Sequence, residues 1–129
     1  MDQLKELKSK EFKQALDSLK ASSILEYSDI SRDSTLLRFE LTSEIAWKVL
    51  KIHLEYILKI QTSFPTQVYR EALKAQVMTA DEIECALQMV SDRNRMVHDY
   101  NQDWAEKLYK KILKDYIPLL EKILKVVLE

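Results

Sequence analysis

The chain has 129 residues, 47% of them hydrophobic, which suits one domain burying about two-thirds of its unfolded surface without a disulfide or metal. It contains no glycine and only two prolines, which argues against sheets and hairpins. The same absence excludes phosphate loops of the P-loop and Rossmann types and the nucleophile elbow of the α/β-hydrolases, all of which need glycine. A formal charge of −1 and a pI near 6.2 are too balanced for a protein whose main task is coating nucleic acid, though local basic patches remain open.

An all-α fold is what is left, and residues 1–129 are expected to form one helical domain. The first amphipathic helix is expected over about 2–27, with Leu4, Leu7, Phe12, Leu16, Leu19 and Ile24 at mixed three- and four-residue spacing. The polar stretch 28–33 reads as the first loop. A longer helix then runs from 33 or 34 to about 60. It carries two apolar rows: Leu36, Phe39, Trp47, Leu50, Leu54 and Ile57, and Leu37, Leu41, Ile45, Val49, Ile52 and Tyr56. Together these cover more of the circumference than one core-facing stripe needs, so either the helix is central in a bundle or part of it lies in an oligomer interface.

Thr62, Ser63 and Pro65 end that pattern, and a short helix is expected over about 66–76. Thr79-Ala80-Asp81-Glu82 forms a capping box that opens a further helix through Ile83, Leu87 and Val90. Asn101, Gln102 and Asp103 mark the next break. The last helix is patterned by Leu108, Ile112, Tyr116, Leu119, Ile123 and Val127, with a kink expected at Pro118. Four long helices and one short one make an up-and-down four-helix bundle the expected architecture.

The lone cysteine, Cys85, permits neither an internal disulfide nor a cysteine zinc site and suits a reducing compartment. The charged N-terminal MDQLKELKSKEF lacks the apolar core of a signal peptide, and no run approaches the roughly 20 apolar residues of a membrane span. A cytoplasmic protein without membrane partners is the expectation. His53 has no partner at convincing metal spacing, and no metal or cofactor is expected. Cys85 and Trp47 read as packing residues.

Packing does not explain Ser91-Asp92-Arg93-Asn94-Arg95-Met96-Val97-His98-Asp99-Tyr100, in which eight of ten side chains hydrogen bond or ionise. On a regular helix Asn94 and His98 share a face, Arg93 aligns with Tyr100, and Arg93 and His98 diverge by about 140°. For these last two to act on one group, the helix must break between them or the site must be shared between two chains. Arg95 and Asp99 are spaced for a local ion pair. An imidazole exchanges protons near neutrality, and a guanidinium grips phosphate through two parallel hydrogen bonds. That is a minimal kit for cleaving RNA by attack of its own 2′-hydroxyl. Capped, solvated helix ends carry the same residue types, so chemistry alone leaves both readings standing.

The segment Arg93 to Tyr100 fits the R-x4-H-x-Y signature of HEPN-domain proteins, with a polar residue after the arginine. RDSTLLRFELTSEIAWKVLKIHLE, residues 32–55, and PTQVYREALKAQVMTADE, residues 65–82, resemble the corresponding blocks of the HepT-like branch, once named nucleotidyltransferase substrate-binding proteins. The resemblance implies a helical bundle that forms a homodimer, placing two R-x4-H motifs at one cleft. This would account for the excess apolar surface of the second helix and for the angle between Arg93 and His98. Related members are metal-independent endoribonuclease toxins, neutralised by a minimal nucleotidyltransferase (MNT) antitoxin, in some pairs by AMPylation of the motif tyrosine.

Carried onto this chain, Arg93 and His98 are the catalytic pair, Asn94 a positioning residue and Tyr100 the AMP acceptor. The implied partners are a second copy, an MNT-type antitoxin and an RNA substrate, tRNA or mRNA. The alternative is a non-catalytic substrate-binding or regulatory subunit of a two-component nucleotidyltransferase. Lys107, Lys110, Lys111 and Lys114 on the last helix read as a solvated face or a phosphate or partner contact. Trp104 reads as a packing anchor, or as a platform for a base. Asp81, Glu82, Glu84 and Asp92 make the helix before the motif acidic, and would repel RNA unless they point away.

Overall fold

The computed structural model describes residues 3–129, so the expected helix start at Asp2 lies outside the described residues. Helices α1 (Gln3–Ser23), α2 (Asp29–Leu58), α3 (Pro65–Lys74), α4 (Ala80–His98), α5 (Gln102–Lys111) and α6 (Ile117–Leu128) follow in order. A π-helical turn, Ile112–Tyr116, joins α5 to α6. The α5–α6 run counts as one rod, and the fold is the expected all-α, up-and-down four-helix bundle with one additional short helix, α3. None of the described helices is long and apolar enough to cross a membrane.

Helix α2 starts earlier than its composition suggests. Ser28 is extended and its hydroxyl accepts the Ser31 amide at 3.0 Å, while the Ser31 hydroxyl accepts the Ser28 amide at 2.8 Å. The polar stretch 28–33 is therefore a helix start, not a loop. A serine fills the place that glutamate takes in the usual capping box. α2 packs against all five other α-helices. Its central position buries Leu36, Phe39, Val49, Leu50 and Leu54, yet Leu37 and Leu41 stay 56% and 55% exposed. The inward face of α1 is Phe12, Leu16 and Leu19, whereas Leu4, Leu7 and Ile24 of the expected stripe are exposed.

The irregularity expected at Pro118 falls in the turn before it. Proline lacks an amide proton and crowds the carbonyl four residues back. Here the chain widens over Ile112–Tyr116, with the Ile117 amide donating to the Ile112 carbonyl, and α6 then continues through Pro118. The widened turn carries Tyr116 into the core, stacked on Phe39 with ring centroids 5.4 Å apart.

A chain without glycine must place other residues at positive φ. Gln76, at φ 62°, follows the end of α3, where its amide donates to the Leu73 carbonyl and the Val77 amide to the Ala72 carbonyl. That is a Schellman motif, which glycine fills at least cost. Gln76→Gly should raise unfolding stability by about 0.5 kcal/mol, the relief of left-handed strain less the added freedom of the unfolded chain. Chemical denaturation reads the difference as a higher midpoint at unchanged slope.

Candidate functional site

The Thr79 capping box opens α4: the Thr79 hydroxyl accepts the Glu82 amide at 3.2 Å, and the Glu82 carboxylate accepts the Thr79 amide at 2.7 Å. From there α4 runs unbroken to His98, with Asp99 as its C-cap. There is no break between Arg93 and His98. A helix break therefore does not bring Arg93 and His98 onto one group.

Arg93 is half-buried beneath α2, where its Nη2 lies 3.5 Å from the Glu44 carboxylate. Its Nε is buried without a hydrogen-bond partner among the described residues. Arg93 and Asn94 line a small hollow with Ser43, Glu44, Trp47 and Met89. His98 ends the helix in solvent, and its imidazole makes no hydrogen bond or ion pair among the described residues. Arg95 makes the expected ion pair with Asp99, at 3.7 Å, and lays its guanidinium over the Trp104 ring at 4.7 Å. Trp104 is buried beneath it, so the covered ring is the packing anchor of the two readings.

Tyr100 does not share a helical face with Arg93, because α4 ends first. Instead its Oη donates to Asp33 Oδ1 at 2.7 Å. Asp33 also accepts from Arg32 Nε at 3.0 Å, and Arg32 is 2% exposed, its Nη1 held by Gln102 at 3.2 Å with Glu106 at 3.5 Å and Asp29 at 3.6 Å. Burial works to raise the Asp33 pKa, but the hydrogen bonds from Tyr100 and Arg32, with the Arg32 charge, hold it below the ordinary carboxylate value. Burial, then the hydrogen bond to Asp33, pushes the Tyr100 phenol up. Arg32, Asp33 and Glu44 had no visible role in the sequence. Their partners lie far along the chain, Tyr100 being 67 residues from Asp33.

Asp33 and Glu44 are three helical turns apart on one face of α2, separated by roughly 16 Å. Leu37 and Leu41 lie along that same face, and Val97 on α4 is 61% exposed. Two exposed leucines of α2 thus lie between the residue that holds Tyr100 and the residue that holds Arg93.

The acidic residues before the motif have separate placements. Asp92 points inward and accepts from the Tyr116 hydroxyl, from Lys111 Nζ at 3.1 Å and from Gln88 Nε2 at 3.3 Å. Glu82 lies 3.7 Å from Lys122, while Asp81 and Glu84 border a cleft with Cys85 and Lys111. Lys111 is therefore held by Asp92, and Lys107, Lys110 and Lys114 are exposed. Cys85 is half-buried, its thiol pushed up by burial and by Asp115. Among the described residues no group of three or more His, Cys, Asp and Glu is placed to hold a metal ion.

His53 is buried on α2, its Nδ1 without a hydrogen-bond partner among the described residues. Burial, then the Lys5 charge, lowers its pKa. A folded-state pKa below the unfolded one gives stability that is full above the unfolded value, near pH 6.5, and is lost as pH falls through the folded one. His53→Gln should flatten the acid-side decline of the melting temperature in that window, measured by thermal denaturation against pH.

The family model described as nucleotidyltransferase substrate binding protein like matches residues 7–129. The chain belongs to this family. A Thermus thermophilus protein of known crystal structure is 34% identical, the match covering 92% of this chain and 99% of that one with a TM-score of 0.85. The tri-AMPylated Shewanella oneidensis HEPN toxin, solved in complex with its MNT antitoxin, is 14% identical and superposes over 98% of both chains with a TM-score of 0.78. A mutant of the MntA-HpeT toxin-antitoxin is 13% identical with the same coverage and TM-score. At such identities the likeness is one of fold, and the helical bundle expected for this chain is borne out. No curated protein matches the sequence. In this nucleotidyltransferase substrate binding protein-like chain, the R-x4-H-x-Y segment occupies the end of α4 and the turn after it.

Proposed function

We propose that the chain is the toxin of a HEPN–MNT pair, an endoribonuclease that needs no metal and works as a homodimer. The observation that carries the proposal is the placement of Arg93 and His98 on one unbroken helix, with Leu37 and Leu41 of α2 and Val97 of α4 exposed. Their divergence leaves neither chain able to close the site alone, and Leu37, Leu41 and Val97 are suited to packing against a second copy. In the dimer, His98 of one chain takes the proton of an RNA 2′-hydroxyl, and that oxygen attacks the adjacent phosphorus. The bond to the 5′-oxygen breaks, the leaving oxygen is protonated, and a 2′,3′-cyclic phosphate remains. Arg93 exchanges its Glu44 contact for the charge growing on the phosphoryl oxygens, and Asn94 orients the group. Lys107, Lys110 and Lys114 draw in the RNA backbone, tRNA and mRNA being the candidate substrates. An MNT antitoxin neutralises the toxin by transferring AMP to Tyr100, as the AMPylated Shewanella toxin in its antitoxin complex suggests for this fold.

One observation favours a second reading, a substrate-binding subunit of a two-component nucleotidyltransferase: Arg93 is already engaged by Glu44. The two readings separate on induced expression of the wild type and His98→Ala, each with and without the nucleotidyltransferase, followed by growth, total RNA integrity and intact mass. Growth arrest and RNA loss that vanish with His98→Ala, and with the partner present, support the toxin. Intact RNA alongside a folded, unmodified wild-type dimer overturns it in favour of the binding subunit.

A further inference from the structure

Tyr100 is exposed, yet its hydroxyl is not left to water. It donates to Asp33 Oδ1 at 2.7 Å, the shortest link in a chain that continues through Arg32 Nε at 3.0 Å into a fully buried guanidinium. Gln102 and Glu106 on α5 and Asp29 on α2 hold that guanidinium in turn. The arrangement has the layout of a hydroxyl nucleophile, a base within hydrogen-bond reach and a third group orienting the base.

We propose that Asp33 is the proton acceptor when Tyr100 is modified by a nucleoside triphosphate bound to the nucleotidyltransferase partner, an inference that rests on Tyr100 being the AMP acceptor. In the step, Tyr100 Oη forms a bond to the α-phosphorus. The bond from that phosphorus to the oxygen bridging the β-phosphate breaks, its electron pair leaving with pyrophosphate. The phenolic proton passes to Asp33 Oδ1. Nothing is oxidised or reduced. A free phenol is a weak nucleophile at neutral pH, and a neighbouring carboxylate disfavours a preformed phenolate. Transfer of the proton as the new bond forms avoids that charge. The charged groups facing Asp33 are Arg32 directly, with Asp29 and Glu106 behind Arg32, and Tyr100 itself. The Arg32 contact keeps the carboxylate ionised and aimed at Oη, which makes Arg32 a positioning residue.

The test uses the full chain in complex with its nucleotidyltransferase, with ATP as the probe, and follows intact mass over time with the modified residue mapped by peptide sequencing. Asp33→Asn should slow adenylate transfer to Tyr100 by about 10²-fold at neutral pH, with the partner saturating. Its rate should then climb about tenfold per pH unit toward the ionisation of the phenol, whereas the wild-type rate is flat there. Formate should accelerate the Asp33→Ala chain and leave the wild type unchanged, a response that a merely structural carboxylate does not give. An Asp33→Asn rate within threefold of wild type with the same pH profile overturns the proposal while leaving Tyr100 as the acceptor. So does a slow Asp33→Ala chain that formate does not accelerate. Adenylate found on another residue, or equal uptake by Tyr100→Phe, overturns the reading of Tyr100 itself and this inference with it.

Discussion

Mixing Arg93→Ala chains with His98→Ala chains should restore RNA cleavage that neither variant supports alone. Each single replacement is expected to cost about 10²–10⁴-fold in rate, the range for losing a general acid–base or a guanidinium that meets transition-state charge. Restoration follows from the geometry. α4 is continuous from Ala80 to His98, so Arg93 and His98 leave it about 140° apart, and the proposed site needs a second chain to bring them together. If each site takes Arg93 from one chain and His98 from the other, a mixed dimer holds one intact site and one lacking both groups. Random pairing of equal amounts then gives about a quarter of the wild-type sites, since half the two-fold dimers are mixed. The measurement is the initial rate of RNA cleavage after the two variants are co-refolded, against each refolded alone. Activity staying at the single-variant level in mixed dimers would mean that each chain closes its own site, and the shared cleft would be refuted. A control with Leu37→Asp and Leu41→Asp should abolish both dimer and restored activity, because two carboxylates in an apolar contact have no partner there.

How much of this was legible depended on whether the signal was local. The Thr79–Glu82 capping box and the Arg95–Asp99 pair are set by residues three and four apart, and both stand in the structure as read. The start of α2 was misplaced because Ser31 does a glutamate's work: one hydroxyl accepts an amide, and nothing in the residue type announces it. Pro118 correctly signalled an irregular turn but not its position, since the backbone relieved the clash by widening the turn before it. Central packing accounts for the buried Leu36, Phe39, Val49, Leu50 and Leu54 of α2, while Leu37, Leu41, Tyr56 and Ile57 are apolar surface that this packing does not use. The motif residues themselves were readable, and the residues that hold them were not. Glu44 on Arg93 and Asp33 on Tyr100 are contacts of tertiary structure, and an unremarkable carboxylate on a charged helix gives no hint of its partner.

The same lesson applies to Asp92, which in sequence is one more acidic residue beside the R-x4-H-x-Y segment. It is buried, at 7% exposure, and ties α4 to the π-helical turn through Tyr116 and to the end of α5 through Lys111. Asp92→Ala should lower unfolding stability by about 2–4 kcal/mol, because the Tyr116 hydroxyl loses a charged acceptor where water cannot replace it. Lys111 adds little to that figure, being exposed enough to turn its ammonium to solvent. Tyr116→Phe keeps the ring against Phe39 and removes only the hydroxyl, leaving Asp92 with Lys111 and Gln88, so about 1–2 kcal/mol is expected. Burial, then Asp92, keeps the phenol protonated well above neutral pH, so the contrast between the two variants should hold across the neutral range. Urea unfolding of the three chains gives the comparison directly. The consequence reaches the site, since Asp92 immediately precedes Arg93. Freed from both Tyr116 and Lys111, this stretch of α4 no longer presents Arg93 at a fixed depth beneath α2, whereas Tyr116→Phe keeps the Lys111 contact. RNA cleavage by Asp92→Ala should then fall more than that of Tyr116→Phe even at temperatures where both are folded. Equal stability of Asp92→Ala and wild type would mean that the contact between α4 and the π-helical turn adds nothing to the fold, and the link from Asp92 to Arg93 would fail with it.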